Sequence, residues 1–474
     1  MNDISTNIKK VLLVILIFFI GLTFYISYFE IVVGPEIVTN TNNKRLWIKR
    51  NEVLRGVIFD RNMTPLTTSV RVNAETQTRT YTQGAAFAHV IGYENIKYGI
   101  TGLERKYDDE LMSSNIQDDV LAFIKSGGKT PKKIGSNLKT TLDVNIQQKA
   151  YNLLGDNRGA VVMLNPKTGE ILAMVSKPSY DPNNLEKSWK DINTNKERPL
   201  INRATAGLYP PGSTFKTVTA ISSIENLSGI MNRTFNDTGS IYFNSKYSLS
   251  NFNGEVLGNI SFKKAYVESS NVAFGTLGLD LGNSTLKQTA EKFYFNKEIP
   301  ADGISVEASN FPTLKSNEKG SIAQSAIGQS AVLASPLQMA VVASTIANNG
   351  VMMEPYLVKQ VMQSTGVVTK TIDPVSLGQI ISNNTASTMK DFMKDVVVDG
   401  TGRAANVEGI QVCGKTGTAD HVENGVNAPP HSWFIGFAPY DNPQVAIAVI
   451  VEDGGQGGIA AASIAAKLIK TALK

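Results

Sequence analysis

The chain has 474 residues, 46 Lys and Arg against 41 Asp and Glu, three His and one Cys, for a net charge of +5. A 42% hydrophobic fraction excludes a largely disordered chain, and a single cysteine excludes an intramolecular disulfide framework and two-cysteine redox chemistry. The weak, dispersed charge gives no case for a nucleic-acid partner, and the length is that of two or three domains.

Residues 11–29, VLLVILIFFIGLTFYISYF, run without a charge. Nineteen helical residues rise about 28 Å, close to the roughly 30 Å hydrocarbon core, and no small-residue cleavage site follows. The segment predicts a retained single-pass anchor. Lys9 and Lys10 favour a cytoplasmic tail over residues 1–10, although Lys44, Arg45, Lys49 and Arg50 lie beyond the far end. The short tail is the easier side to leave inside, so residues 30–474 are expected outside the cytoplasmic membrane. The sequence has no second run of that length, which argues against a transporter or channel.

Residues 30–140 are polar, with short strand-like segments at Arg55–Arg61 and Val70–Asn73, and predict an N-terminal pedestal domain. Ser126–Ser136 combines Gly, Pro and Lys and reads as an exposed loop. From 141 the texture changes. Ala160–Leu164 and Ile171–Val175 predict a hairpin across Asn-Pro-Lys-Thr-Gly-Glu. Thr214–Ile224 predicts a helix entered through Pro210-Pro211-Gly212. Ile410–Cys413, Trp433–Ala438 and Val445–Val451 predict three further strands, and Ile459–Leu473 a closing amphipathic helix. This succession predicts an α+β domain over 141–474 built on an antiparallel sheet.

Ser213-Thr-Phe-Lys216 is a Ser-x-x-Lys motif, and at least six other copies begin at Ser126, Ser136, Ser261, Ser284, Ser316 and Ser387. Its setting separates it from them. The Pro-Pro-Gly turn allows close backbone approach, and a helix starting at the serine stabilises developing negative charge. Lys216 lies one turn on, and a neutral lysine amine can take a serine proton. Ser269-Ser270-Asn271 lies in a helix-like stretch, AYVESSNVAFGTLG, where buried polar groups need partners. Lys415-Thr416-Gly417-Thr418 follows Gln411–Gly414 on a strand, its glycine leaving room for a ligand backbone along the edge. Each motif alone has a bland reading as a cap, a buried structural pair or a turn. Their order and spacing, 56 residues from Ser213 to Ser269 and 146 more to Lys415, make the case together.

Those three motifs in that order resemble the active-site set of penicillin-binding proteins and serine β-lactamases. Arg55–Arg61 is similar to the RGxIxDR signature of class B penicillin-binding proteins, Gly102–Asp108 to its GLExxYD, and Thr141–Gln147 to the TLDxxIQ that opens its catalytic domain. Pro429–Pro439, PPHSWFIGFAP, resembles the penicillin-binding protein A branch. The resemblance spans nearly everything after the anchor. It implies a penicillin-binding transpeptidase fold over 141–474 and a dimerisation-type pedestal over 30–140. The region before the pedestal is too short for a glycosyltransferase, so a monofunctional enzyme is expected.

The resemblance further implies a D,D-transpeptidase acting on peptidoglycan stem peptides and acylated by β-lactams. Ser213 is then the nucleophile and Lys216 its base, with a pKa lowered by Lys415. The backbone N–H groups of Ser213 and Thr418 form the oxyanion hole. Ser269 relays a proton, Asn271 orients the donor, and Lys415, Thr416 and Thr418, with Gly417 between them, bind the donor carboxylate. The histidines have no part in this scheme, so a Ser-His-Asp mechanism is not expected. A separate glycosyltransferase of the elongation or division machinery is the expected partner. The alternatives are a D,D-carboxypeptidase or β-lactamase-type hydrolase, which shares the acyl-enzyme, and a catalytically silent cell-wall scaffold.

No cofactor is required by that chemistry. A structural zinc is nonetheless a candidate, because Cys413, Asp420, His421 and His431 are zinc-competent and close in sequence. A straight strand would put Cys413 about 26 Å from His421, so the four meet only if the chain bends sharply after Thr418.

Overall fold

The computed structural model describes residues 2–29, 50–73, 76–113, 124, 133–245, 247–423, 425–456 and 458–474. Positions 126–132 of the Gly-Pro-Lys loop, and Lys44, Arg45 and Lys49, lie outside the described residues.

Helix α1 (Asn2–Tyr28) carries the apolar run, and its stretch Thr6–Tyr28 is 23 residues long with every side chain exposed. That stretch rises about 34 Å, enough to cross a bilayer. No other helix among the described residues is long and apolar enough to do so.

The pedestal motifs meet as one ion network. Arg55, fully buried, gives Nε to Glu104 Oε2 at 2.6 Å and Nη1 to Asp108 Oδ1 at 2.6 Å. Arg79 Nε reaches the other Glu104 oxygen at 2.8 Å, and Arg50 pairs with Asp108. The arginine of Arg55–Arg61 and the carboxylates of Gly102–Asp108 are therefore halves of one device. Buried charges persist only when paired in this way.

Strand Ile58–Phe59 pairs in parallel with Asn137–Thr140, which pairs antiparallel with Val358–Met362, and Val368–Thr371 completes this small sheet. It crosses the sequence boundary at 140.

Asp143 caps helix α2 (Val144–Leu154), accepting from Asn145 N and Ile146 N. The hairpin β1 (Gly159–Leu164) and β2 (Ile171–Lys177) follows, turning through Gly169 at φ +81°. Then come helices α3 (Lys216–Asn226), α4 (Asn271–Lys292), α5 (Lys319–Ala326), α6 (Pro336–Ala347) and α7 (Asn383–Val398). Strands β3 (Cys413–Ala419), β4 (His431–Ala438) and β5 (Val445–Val451) and helix α8 (Ala460–Ala472) close the chain. The central sheet is antiparallel throughout, in the order β3-β4-β5-β1-β2.

Side chains of the sheet alternate between two cores, as a period of two requires. Ala160, Val162, Ala446, Ala448 and Ile450 face the core that holds α6, all of whose residues are buried. Val161, Met163, Ile447, Val449 and Val451 face α2 and α8 through Ile146, Leu154, Ala465 and Leu468. Helices cover both faces, so these strands read as continuous apolar runs rather than as alternating ones.

Two sequence expectations shift. The third strand is Cys413–Ala419 rather than Ile410–Cys413, so it carries the Lys-Thr-Gly motif itself. Ser213 lies in a 3-10 turn, Gly212–Phe215, and the α-helix begins only at Lys216.

Candidate active site

The turn before Ser213 is clamped from three sides. Tyr209 N donates to Ala334 O at 3.1 Å, Trp433 Nε1 to Pro210 O at 3.0 Å, and Gly212 N to Gly328 O at 3.0 Å. Gly212 has φ +53°, and a Cβ there would lie 2.6 Å from Thr418 O. Glycine is thus required on two counts, backbone conformation and space.

Gly417 keeps the same fit from the strand side. A Cβ on it would lie 2.9 Å from both Pro211 O and Thr214 Cγ2. Its smallness admits the nucleophile turn, whereas the sequence reading assigned it to ligand clearance.

Ser269 connects the other two motifs. It holds a left-handed φ of +62°, rare for a side-chain-bearing residue. Lys216 Nζ donates to Ser269 O at 2.5 Å, to Ser269 Oγ at 3.3 Å and to Asn271 Oδ1 at 2.6 Å. Lys415 Nζ donates to Ser269 Oγ at 2.9 Å and to Thr416 O at 3.1 Å. Both lysines are fully buried. Burial first, and then the charge of Lys415, hold Lys216 well below the usual lysine range, partly opposed by Asp237. Burial alone brings Lys415 down to about 7.

Behind these residues stands a layer that carries no sequence motif. Asp237, fully buried, accepts from Ser270 Oγ at 2.5 Å, from Gly239 N at 2.9 Å and from Asn251 Nδ2 at 2.8 Å. Asn251 Oδ1 in turn accepts from Asn271 N at 2.7 Å, while Ser270 Oγ caps α4 by accepting from Ala273 N at 2.9 Å. Asn271 gives its amide N–H to Ser250 O at 2.7 Å. Thr401 Oγ1 and Thr416 Oγ1 are 2.7 Å apart across the strand edge.

Ser213, Ser269, Asn271, Thr416 and Thr418 line one cleft of about 550 Å3, with Lys216, Lys415 and Gly417 buried around it. Thr401, Asn251 and Gln456 line the same cleft and were missed from sequence.

The four-residue zinc set is not brought together. Cys413 pairs with Phe437 and Ala419 with His431, so strand β3 runs straight and puts Cys413 at the opposite end, about 20 Å away. Cys413 is a buried core side chain whose thiol pKa burial raises. Asp420 is exposed and lines the cleft. His421 and His431 do meet, their rings stacked 3.8 Å apart.

A penicillin-binding protein transpeptidase domain matches residues 159–470, and a penicillin-binding protein A dimerisation domain matches residues 55–126. The chain belongs to the penicillin-binding protein transpeptidase family. The peptidoglycan D,D-transpeptidase PbpA of Mycolicibacterium smegmatis is 33% identical, with 99% of each chain covered. MrdA of Acinetobacter baumannii, also a peptidoglycan D,D-transpeptidase, is 33% identical over 82% of this chain and 65% of its own. Among solved structures, the ceftriaxone acyl-enzyme of Mycobacterium tuberculosis penicillin-binding protein A superimposes with a TM-score of 0.83. It is 32% identical and covers 90% of this chain and 100% of its own. A transpeptidase domain from Eggerthella lenta follows the same fold at 34% identity and a TM-score of 0.79, covering 89% and 98%.

Proposed function

We propose that the chain is a membrane-anchored peptidoglycan D,D-transpeptidase working through a serine acyl-enzyme that β-lactams also form. The observation that carries this reading is the convergence of two buried lysines on Ser269 Oγ beside the Ser213 turn.

A buried amine held below its usual pKa is neutral, so Lys216 takes the proton of Ser213 Oγ. The freed oxygen attacks the carbonyl of the donor's terminal D-Ala–D-Ala peptide. Backbone N–H groups of Ser213 and Thr418 hold the oxyanion. The proton returns to the leaving amine through Ser269, whose hydroxyl is the shared neighbour of both lysines. The peptide C–N bond breaks, D-Ala departs and Ser213 is left acylated. An acceptor stem-peptide amine then attacks the ester, forming the cross-link and restoring the serine. Lys415, Thr416 and Thr418 bind the donor carboxylate, and Asn271 holds Lys216 while facing the donor.

The anchor and the basic residues Lys9 and Lys10 support a catalytic domain outside the cytoplasmic membrane, where this substrate lies. A separate glycosyltransferase would supply the glycan strands. The test is labelling of the full chain with a fluorescent penicillin beside Ser213→Ala, followed by product analysis on a D-Ala–D-Ala donor with an acceptor amine. A stable label on the parent alone, with a cross-linked product, is expected. Rapid antibiotic turnover or release of D-Ala without cross-linking would establish a hydrolase, and an unlabelled, folded parent a silent scaffold.

A further inference from the structure

The two N–H groups assigned to the oxyanion come from different elements, Ser213 from the turn Gly212–Phe215 and Thr418 from strand β3. A third segment, Gly328-Gln329, touches both. On the turn side, Gly328 O accepts from Gly212 N at 3.0 Å. The fit is close, since a Cβ on Gly328 would lie 2.3 Å from Gly212 O and 2.7 Å from Phe215 Cβ. On the strand side, the half-buried Gln329 side chain lies against the backbone of Asp420, the residue that follows β3. In the amide orientation that serves both groups, Gln329 accepts from Asp420 N at 2.9 Å and donates to Asp420 O at 3.3 Å.

The ladder to β4 ends at the pair Ala419 and His431, and Gln329 takes up the next residue from the open edge. Main-chain groups two residues apart on a strand point to the same side, so the edge gripped at Asp420 is the edge Thr418 presents. Thr418 O lies on that side, 2.6 Å from where a Cβ on Gly212 would stand.

We propose that Gln329 is a positioning residue of acyl transfer, gripping the β3 edge at Asp420 while Gly328 holds the nucleophile turn, and so setting the distance between the two oxyanion donors. The inference rests on the acyl-enzyme reading above.

Oxyanion donors work only when both stand about 2.7–3.1 Å from the place the oxygen will occupy. The contact at Gly417 sets how closely turn and strand pack. A two-point grip on one residue fixes where along the strand the turn sits. Gln329 also lines the cleft, but both ends of its amide are engaged by Asp420, so it acts through the strand.

The test uses the full chain in detergent and penicillin G labelled with carbon-13 at its β-lactam carbonyl. After acylation that carbonyl is the ester in the oxyanion hole, and its infrared stretch falls as the donors hold it more tightly. Gln329→Met keeps the bulk of the side chain and removes both hydrogen bonds. Its acylation should slow on the order of 10–100-fold, with the ester band at higher wavenumber than the parent's. Gln329→Glu is the conservative control. As a carboxylate it accepts from Asp420 N but cannot donate to Asp420 O, whereas the protonated acid does both, as the amide does.

At neutral pH the Gln329→Glu band should therefore also lie above the parent's. It should return to the parent's position when both acyl-enzymes are taken below about pH 4, while the Gln329→Met band stays displaced. A residue that served the fold alone would leave the ester band of folded protein where it was. A parental band in Gln329→Met overturns the proposal, and so does a Gln329→Glu band that ignores pH. Unfolding of both variants, read by circular dichroism, overturns it too, by making Gln329 a residue of general stability. A parent without any ester band fails the acyl-enzyme reading itself; a parent with the band beside variants identical to it fails only this inference.

Discussion

Lys216 and Lys415 point their ammonium nitrogens at the same hydroxyl, reaching Ser269 Oγ at 3.3 and 2.9 Å, and neither is exposed to water. Two charges so close and so buried cannot both persist, and the pair divides the labour. Lys216, held down by burial and then by the charge of Lys415, is the proton acceptor. Lys415, at about 7, is the member that can still charge when a carboxylate arrives.

Acylation by a penicillin should therefore follow a bell-shaped pH profile. Activity is lost at low pH as Lys216 protonates, and lost again above about 7 as Lys415 gives up its proton. Lys415→Arg, whose guanidinium stays charged, lowers the rate and removes the alkaline limb. A stopped-flow profile that falls on neither side would sink the assignment.

Gly417→Ala places a methyl 2.9 Å from Pro211 O, so the turn bearing Ser213 must shift. A displacement of this kind costs on the order of 100-fold in rate. The acylation rate constant reads it directly, while the melting temperature stays close to the parent's.

Asp237→Asn leaves the donors of Ser270 and Asn251 facing an amide in place of a carboxylate. The expected cost is about 2 kcal/mol of stability, from lost charge-assisted hydrogen bonds, measured by denaturant unfolding. Lys216 also loses the one charge that raises its pKa, so the acidic limb of the acylation profile moves to lower pH. A purely structural role would leave that limb in place.

Glu104→Gln in the pedestal leaves Arg55 and Arg79 buried against a neutral side chain. Breaking such a network costs about 3–5 kcal/mol. Thermal unfolding should show a large drop in melting temperature, while penicillin labelling of the folded fraction is unchanged.

The sequence made the chemistry legible because the reacting groups sit in short motifs, Ser213-x-x-Lys216, Ser269-x-Asn271 and Lys415-Thr-Gly. The hairpin of β1 and β2, the strands β4 and β5 and the closing helix were legible for a different reason, since their apolar runs are bounded by Pro, Gly and Asp. Asp237, Asn251 and Thr401 stayed hidden because they act across the fold on residues up to 33 positions away and have no pattern of their own. Cys413 misled because proximity in sequence is not proximity in space when a strand intervenes.

The small sheet that joins Ile58–Phe59, Asn137–Thr140 and Val358–Met362 governs how the molecule can be cut. A truncation starting at Thr141 removes the middle strand and uncovers the backbone N–H and C=O groups of Val358–Met362. An open strand edge is a template for pairing with another chain. The catalytic portion taken alone would be prone to self-association through that edge, and a soluble fragment needs Asn137–Thr140 kept in place to remain monodisperse.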